Sequence, residues 1–291
     1  MALLLSVSPS IEATNWTNKV HPDLLAAAEQ GDKVDFLLVL QAQADINTAK
    51  TLPTKEEKGQ FVFETLQATA RTTQGKLLNY LNNKAIKHRS FWIINSILVK
   101  QVGLEVLQEL AQRSDIKQLD ANPFVRLQMP EPSRNASANH NRSTIEWNVS
   151  QVHADAVWEM GYNGQGIVVA GQDTGYEWEH PAIKNQYRGW DGSNADHNYN
   201  WHDAIHEMSP LNEDDNNPCG YNLTTPCDDH AHGTHTVGTM AGDDGNGNQI
   251  GLAPGAKWIG CRNMERGWGS ATSYIECFEW FLAPTDLNNE N

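Results

Sequence analysis

The feature that most constrains the fold is a polar stretch, PEPSRNASANHNRS, which runs from Pro130 to Ser143 and contains no bulky apolar residue. Such a segment cannot contribute to a hydrophobic core, and its prolines disfavour regular secondary structure. A chain of 291 residues is also long enough for about two domains. We therefore expect one domain at 20–129, a linker at 130–143 and a second domain at 144–291.

The two halves differ strongly in charge. Of the net charge of −15, residues 1–142 contribute +2 and residues 143–291 contribute −17. An acidic surface repels phosphate backbones, so we expect no nucleic-acid partner. No apolar run is long enough to span a membrane, and the opening MALLLSV lacks the basic region and the length of a signal peptide, so no membrane partner is expected either.

The first half alternates strand-like and helix-like patterns. Residues 33–41 predict a buried strand and residues 55–84 a long helix. Two short β-rich runs, SFWIIN and SILVKQ, come next, followed by a helical pattern at 104–115 and an extended one at 116–128. This order predicts a small α+β domain of the ferredoxin-like, split βαβ type.

Two polar residues in the second half are placed to meet at one edge of a sheet. The apolar run Ile167–Ala170 predicts a buried parallel strand that brings Asp173 to its carboxyl end. A helix rich in small residues begins at His232. A carboxylate at this edge could hold the imidazole in one tautomer and stabilise its protonated form. On these residues alone, a turn-capping Asp173 and a core histidine at 232 remain the alternative.

All four cysteines lie in the second half. Cys219 and Cys227 are spaced for a small disulfide loop, although free thiols fit the sequence equally well. This pair falls within residues 185–228, which are rich in Asn, Asp and Trp, show no sustained period and predict a long surface insertion. The other two are Cys261 and Cys277.

Several blocks in the second half together resemble the subtilisin-like serine peptidases, or subtilases. They are DTG at Asp173, HP at His180, HGTH at His232 and GLAPGAKW at 251–258. The segment after Cys261, together with the cysteine-containing insertion, is most similar to the bacillopeptidase F type within that family. The resemblance implies a doubly wound parallel-sheet α/β domain, here incomplete, preceded by a ferredoxin-like α+β prodomain.

The same resemblance implies roles for individual residues. Asp173 and His232 would be members of an Asp-His-Ser triad for peptide-bond hydrolysis, with His232 as the general base and Asp173 as the group that orients it. No cofactor is required for this chemistry. Three small residues would let the histidine helix pack closely against the sheet: Gly233, Thr234 and Gly238.

GWGS matches the place where subtilases present an edge strand to the substrate backbone. Gly267 and Gly269 would keep that edge open, and Trp268 would form the wall of an apolar subsite. A plain glycine-rich turn with an exposed tryptophan is the alternative. The expected partners are polypeptide substrates and the chain's own propeptide at 20–129, which would inhibit the site until cleavage in the linker. The resemblance also implies a secreted protein.

Two family features have no clear counterpart. No G-T-S-x-A block and no oxyanion asparagine segment occurs, and Ser270 and Ser273 do not match the nucleophile. We therefore expect a serine endopeptidase zymogen that is inactive as the chain stands. The loop DDGNGNQIG (243–251) carries oxygen ligands suited to a structural calcium ion, but Ala182 stands where the family often has a carboxylate, so no ligand set is assigned.

Three alternatives stay open at this point. A zinc hydrolase could use His230, His232 and His235 with Asp173, or the HDAIH histidines at 202–206. An aspartic peptidase needs two Asp-Thr-Gly loops, and one is present. A chain that acts only as a folding assistant and inhibitor is the third. Within the subtilase interpretation, His230 is expected at the surface and His235 in a structural role.

Overall fold

The computed structural model describes residues 16–129 and 145–290. The chain packs into two units, Met1–Asn122 and Pro123–Asn291. The expected linker at 130–143 lies outside the described residues. The expected domain boundaries at 20–129 and 144–291 remain a prediction.

The described part of the first unit contains an antiparallel sheet and three α-helices. The order of strands across the sheet is β2-β3-β1-β4, with every neighbouring pair antiparallel. This is the strand order of a ferredoxin-like unit, as the alternation of patterns predicts. The elements are α1 (Pro22–Glu29), β1 (Val34–Leu40), α2 (Lys55–Asn83), β2 (His88–Phe91), β3 (Ser96–Val102), α3 (Leu104–Ala111) and β4 (Ile116–Ala121).

The core of this unit joins the central strand to the helices. Phe36, Leu38 and Leu40 alternate along β1 and are buried against apolar residues of all three helices. The long helix α2 begins with a capping box in which Thr54 and Glu57 each bind the other's backbone N–H. The buried residues of α2 recur at helical spacing: Leu66, Ala70, Gln74, Leu77 and Leu81.

The second unit contains two three-stranded sheets. One is parallel with the order β6-β8-β7, and the other is antiparallel with the order β5-β10-β9. The elements are β5 (Phe124–Arg126), α4 (Trp147–Gln151), α5 (Ala154–Glu159), β6 (Val168–Asp173), α6 (Pro181–Lys184), β7 (Trp201–Asp203), α7 (His232–Ala241), β8 (Lys257–Arg262), β9 (Met264–Glu265), β10 (Trp268–Ser270) and α8 (Ala271–Leu282).

Helices cover both faces of the parallel sheet. Along β8, Trp258 packs in a cluster with Val237 of α7, whereas Ile259 packs in a cluster with Trp280 of α8. Successive side chains of a strand point to opposite faces, so α7 and α8 lie on opposite sides. This is the α/β arrangement that the sequence predicts.

The expectation that Ile167–Ala170 forms a buried strand was wrong. Ile167 and Val168 are 57% and 43% exposed, and burial along β6 is complete only at Asp173. The reason is the position of β6 in the sheet: among the described residues, it pairs with β8 on one side and with no strand on the other.

In the described part of the chain, no helix is long and apolar enough to cross a membrane.

The interpretation of residues 185–228 as a surface insertion was also wrong in part. Tyr187 and Trp201 are fully buried, and β7 joins the parallel sheet. The sequence of this segment shows no hydrophobic period because much of the segment consists of turns that Asn and Asp side chains stabilise. Asp191, for example, accepts hydrogen bonds from two backbone N–H groups of its own loop.

Disulfides join Cys219 to Cys227 and Cys261 to Cys277.

The extended run at 116–128 is two strands. β4 ends at Ala121, and Pro123, which has no N–H to donate, follows it. Residues 124–126 then pair with β10 inside the second unit.

Candidate active site

Asp173 is held at the carboxyl end of β6 by groups from two elements. One carboxylate oxygen accepts the backbone N–H of Thr174 at 2.8 Å, and the other accepts the hydroxyl of Thr236 at 3.1 Å. The side chain is 11% exposed. Its remaining strong contact is with His232.

His232 is the first residue of α7, and its Nδ1 lies 2.7 Å from Asp173 Oδ1. Its side chain is 27% exposed. A carboxylate at Nδ1 favours the tautomer that carries a proton there, which leaves Nε2 to exchange a proton with a reacting group. The structure thus brings together the two residues that the motifs single out, in a geometry that general-base chemistry could use.

Gly233 allows this contact. A Cβ atom there would lie 2.0 Å from the Gly175 carbonyl oxygen and 3.0 Å from Asp173 Cβ. Gly238, one of the other small residues expected to matter, has only ordinary contacts at 3.9–4.0 Å around the same position. Close packing of α7 therefore depends on Gly233, and the expected role of Gly238 was wrong.

Asp228 fixes the start of α7, and sequence reasoning gave it no role. Its carboxylate accepts N–H groups of His230, Ala231 and Thr234 at 2.9–3.0 Å, and hydroxyls of Thr174 and Thr234 at 2.8 and 2.6 Å. The first N–H groups of a helix have no partner within the helix. An acidic residue just before a predicted helix start is the signal that could have identified it.

Behind Asp228 lies a buried charge cluster that the sequence did not reveal. Arg262, fully buried at the end of β8, is directly beside Asp173 in the strand register and pairs with Asp229 and Asp203. Burial raises the pKa of both carboxyl groups, and Arg262 opposes that rise. The cluster joins β7 and β8 to the segment that precedes His232.

The three residues at the predicted substrate edge lie on β10 or next to it. The outer edge of β10 pairs with β5 in antiparallel register, and Leu127 donates its backbone N–H to the Gly267 carbonyl oxygen at 2.8 Å. An extended segment of this chain thus binds the edge as a substrate strand would.

The two glycines serve different purposes. Gly267 has φ +83°, in the left-handed region, and a Cβ there would lie 3.3 Å from the His230 ring. Gly269 is required by packing, because a Cβ would lie 2.8 Å from the Tyr274 ring and 2.9 Å from the Asn263 carbonyl oxygen. The expectation that Gly267 and Gly269 keep the peptide edge open remains a prediction.

Trp268, between the glycines, is half-buried. The guanidinium carbon of Arg126 lies 5.3 Å from its ring centroid. A cationic group of β5 thus lies over this ring.

Ser270 and Ser273 cap a helix. They form a capping box at the start of α8, in which each side chain accepts the other's backbone N–H, and Ser273 also donates its hydroxyl to the Asn263 carbonyl oxygen at 2.7 Å. Both hydroxyls are therefore engaged in fixing α8, as the mismatch to the family nucleophile suggests.

The other histidines stand apart from the pair. His230 and His235 are exposed. His202 and His206 direct Nε2 at one carboxylate, that of buried Glu276, at 2.7 and 3.0 Å. Within 16–129 and 145–290, no three His, Cys, Asp or Glu side chains are arranged to hold a metal ion, so the zinc alternative gains no support.

The calcium expectation remains a prediction. In the loop at 243–251, Asp243 accepts the Gly245 N–H at 2.9 Å, and Asp244 accepts the N–H groups of Asn246 and Asn248 at 2.8 and 3.2 Å. These bonds shape the loop itself and do not define a ligand set.

Comparisons with known proteins agree with the motifs. Residues 164–289 match the model of the Subtilase family. The chain is 33% identical to Bacillopeptidase F of Bacillus subtilis (strain 168), over 96% of this chain and 20% of that protein. It is 26% identical to the Minor extracellular protease Vpr of the same organism, over 91% of this chain and 31% of that protein.

A third relative matches a shorter region. The Major intracellular serine protease of Bacillus subtilis (strain 168) is 35% identical, over 38% of this chain and 28% of that protein. The chain thus spans about a fifth to a third of the length of these three relatives.

Proposed function

This chain belongs to the subtilase family, and from that premise we propose that it supplies the acid–base part of a serine endopeptidase. His232 takes the proton of a serine hydroxyl as the oxygen attacks a peptide carbonyl, and later gives it to the leaving amine. Asp173 orients the ring and stabilises the imidazolium. Water then hydrolyses the acyl-enzyme. The serine and its oxyanion partners have no family-matched counterpart among the 291 residues.

One observation carries the proposal: the 2.7 Å contact between His232 Nδ1 and a carboxylate that is itself hydrogen-bonded to Thr174 and Thr236. The contact also depends on Gly233, because a side chain at that position would collide with the Gly175 carbonyl oxygen and hold α7 away from Asp173. A chance contact between a surface histidine and an acid would not require such a glycine. The second ring nitrogen is left for proton transfer, as general-base catalysis requires.

Polypeptides are the substrate class that the edge strand suits. Main-chain pairing with β10 recognises any extended peptide, because the hydrogen bonds involve backbone groups only. The pairing of β5 with β10 supports this binding mode.

We include in the proposal that residues 20–129 act as an inhibitory propeptide. The ferredoxin-like unit and the occupation of the substrate edge by residues 124–127 support this role. Cleavage in 130–143, outside the described residues, would release the inhibition. All four cysteines form disulfides, which persist in oxidising surroundings, so an extracellular location is part of the proposal.

The test is His232→Ala in the protein expressed from its complete coding region, assayed by hydrolysis of a fluorogenic peptide. Loss of the general base should lower kcat/KM by at least about 100-fold. Circular dichroism should remain unchanged, because His232 is partly exposed and contributes little to the core.

The matched control is His235→Ala, which removes an exposed histidine from the same helix. It should retain the original kcat/KM. Equal activity of His232→Ala and the unmodified protein would overturn the assignment of the base.

A further inference from the structure

The register of β5 on β10 assigns each side chain of the bound segment to one face. Arg126 is directly opposite Trp268, Val125 is opposite Gly269, and Phe124 is opposite Ser270. Directly opposed residues of antiparallel strands place their side chains on the same face. Arg126 and Trp268 therefore meet, whereas Val125 faces a position that has no side chain.

The contact between Arg126 and Trp268 is of the cation–π type. The guanidinium carbon lies 5.3 Å from the ring centroid, within the range of about 6 Å over which the ring quadrupole attracts a cation. Tryptophan is the most favourable aromatic partner for such a cation. Among the described residues, Arg126 forms no ion pair, and its guanidinium group lies over the indole ring of Trp268 instead.

The surroundings of the edge add to this preference. Residues 143–291 carry a net charge of −17, which raises the local concentration of cationic groups. All three residues of β5 are exposed, so a peptide side chain at the position of Arg126 can reach the indole from solvent.

We propose that Trp268 is a specificity-determining residue that selects peptides with a cationic side chain, arginine before lysine, at the position opposite it. That position immediately precedes the residue whose backbone N–H binds the Gly267 carbonyl oxygen. The inference rests on the proposed function, because it takes β10 to be the strand that binds substrate.

The first measurement is hydrogen exchange of the Leu127 amide, followed by NMR in the full chain. Arg126→Gln and Trp268→Leu should each speed exchange by about 2- to 5-fold, the effect of one exposed cation–π contact. The double variant should exchange no faster than either single variant, because both remove the same interaction. Trp268→Phe, which keeps an aromatic face, should show a smaller change than Trp268→Leu. Additive effects, or none, would overturn the inference.

The second measurement uses peptides in trans. Leu127→Pro removes the N–H that binds Gly267 and so weakens the hold of the tethered strand on the edge, which lets a peptide compete for it in the full chain. Isothermal titration then compares the peptide PFVRLQ with one in which citrulline, of the same shape but uncharged, replaces arginine. The arginine peptide should bind about 2- to 5-fold more tightly, and the difference should vanish in the Leu127→Pro, Trp268→Leu double variant.

The outcomes separate the two proposals. Equal affinities for both peptides would overturn the specificity inference and leave the substrate edge intact. An unprotected Leu127 amide, together with no binding of either peptide, would show that β10 is not a peptide site and would overturn the proposed function as well.

Discussion

At the residue scale, Gly233 shows how one missing side chain sets the geometry of the Asp173–His232 pair. The hydrogen that stands in place of a Cβ atom faces the Gly175 carbonyl oxygen. Gly233→Ala should lower the free energy of unfolding by about 1–3 kcal/mol, because a methyl group cannot fit within 2.0 Å of that oxygen and α7 must shift. Urea denaturation of the full chain measures the change.

The control lies in the same helix. Gly238→Ala meets only ordinary contacts at 3.9–4.0 Å and gains helix propensity, so it should leave stability unchanged or raise it by up to about 1 kcal/mol. If the two alanine variants were equally stable, close approach at Gly233 would not be the cause.

At this scale the sequence predicted the residues whose partners stand in short motifs. Asp173 and His232 follow from DTG and HGTH, and the structure places them in contact. Arg262 and the contact of Arg126 with Trp268 were missed or misjudged, because their partners are distant in sequence, 142 positions in the case of Arg126, and no local pattern indicates them. Asp228 was missed although the N–H groups that it binds are only two to six positions away.

At the scale of elements, the orientation of α7 depends on a cap that comes from outside the helix. Ala231, the residue before the helix, has φ +64° and no capping side chain, and Asp228 supplies the missing acceptor. Asp228→Ala should destabilise the chain by about 1–2 kcal/mol, because it leaves helix N–H groups without an acceptor. Thermal unfolding followed by circular dichroism measures the loss.

Asp228→Asn distinguishes capping from charge. The amide oxygen can still accept hydrogen bonds, so this variant should lose less stability than Asp228→Ala. Equal losses for both would mean that the negative charge near the helix N-terminus, and not the cap, is the important feature.

The periodicity of the sequence predicted whether a segment is a helix or a strand more reliably than it predicted how deeply that segment is buried. The long amphipathic helix α2 and the strand order of the first unit agree with the patterns. Burial of β6 and of residues 185–228 was misjudged, because burial depends on which strand is the neighbour. Apolar runs such as Ile167–Ala170 occur equally in central strands and in an edge strand.

At the scale of the whole molecule, an aromatic cluster makes stability depend on pH. His197 lies against the rings of Trp178 and Tyr187, and its Nδ1 is 3.0 Å from the Tyr187 hydroxyl. Burial lowers the pKa of His197 below its ordinary value of 6.5. The unfolded chain therefore binds a proton more readily than the folded chain below that pH, and the contribution of the neutral ring to stability is lost as the pH falls.

Denaturation of the full chain and of His197→Gln, at a series of pH values, tests this dependence. The stability advantage of the unmodified chain should be constant above pH 6.5 and shrink as the pH decreases below 6.5. His235→Gln, at an exposed histidine, is the control and should follow the unmodified chain. Parallel curves for all three chains would contradict the assignment to His197.

The pairing of β5 with β10 has a consequence for competition. Residues 124–127 are covalently joined to the edge that they occupy, so their effective concentration at that edge does not fall when the protein is diluted. A free peptide must compete with a tethered strand whose local concentration is on the order of millimolar. Dilution therefore cannot empty the edge, and only a break in the chain beyond it turns the occupying strand into a ligand that can diffuse away.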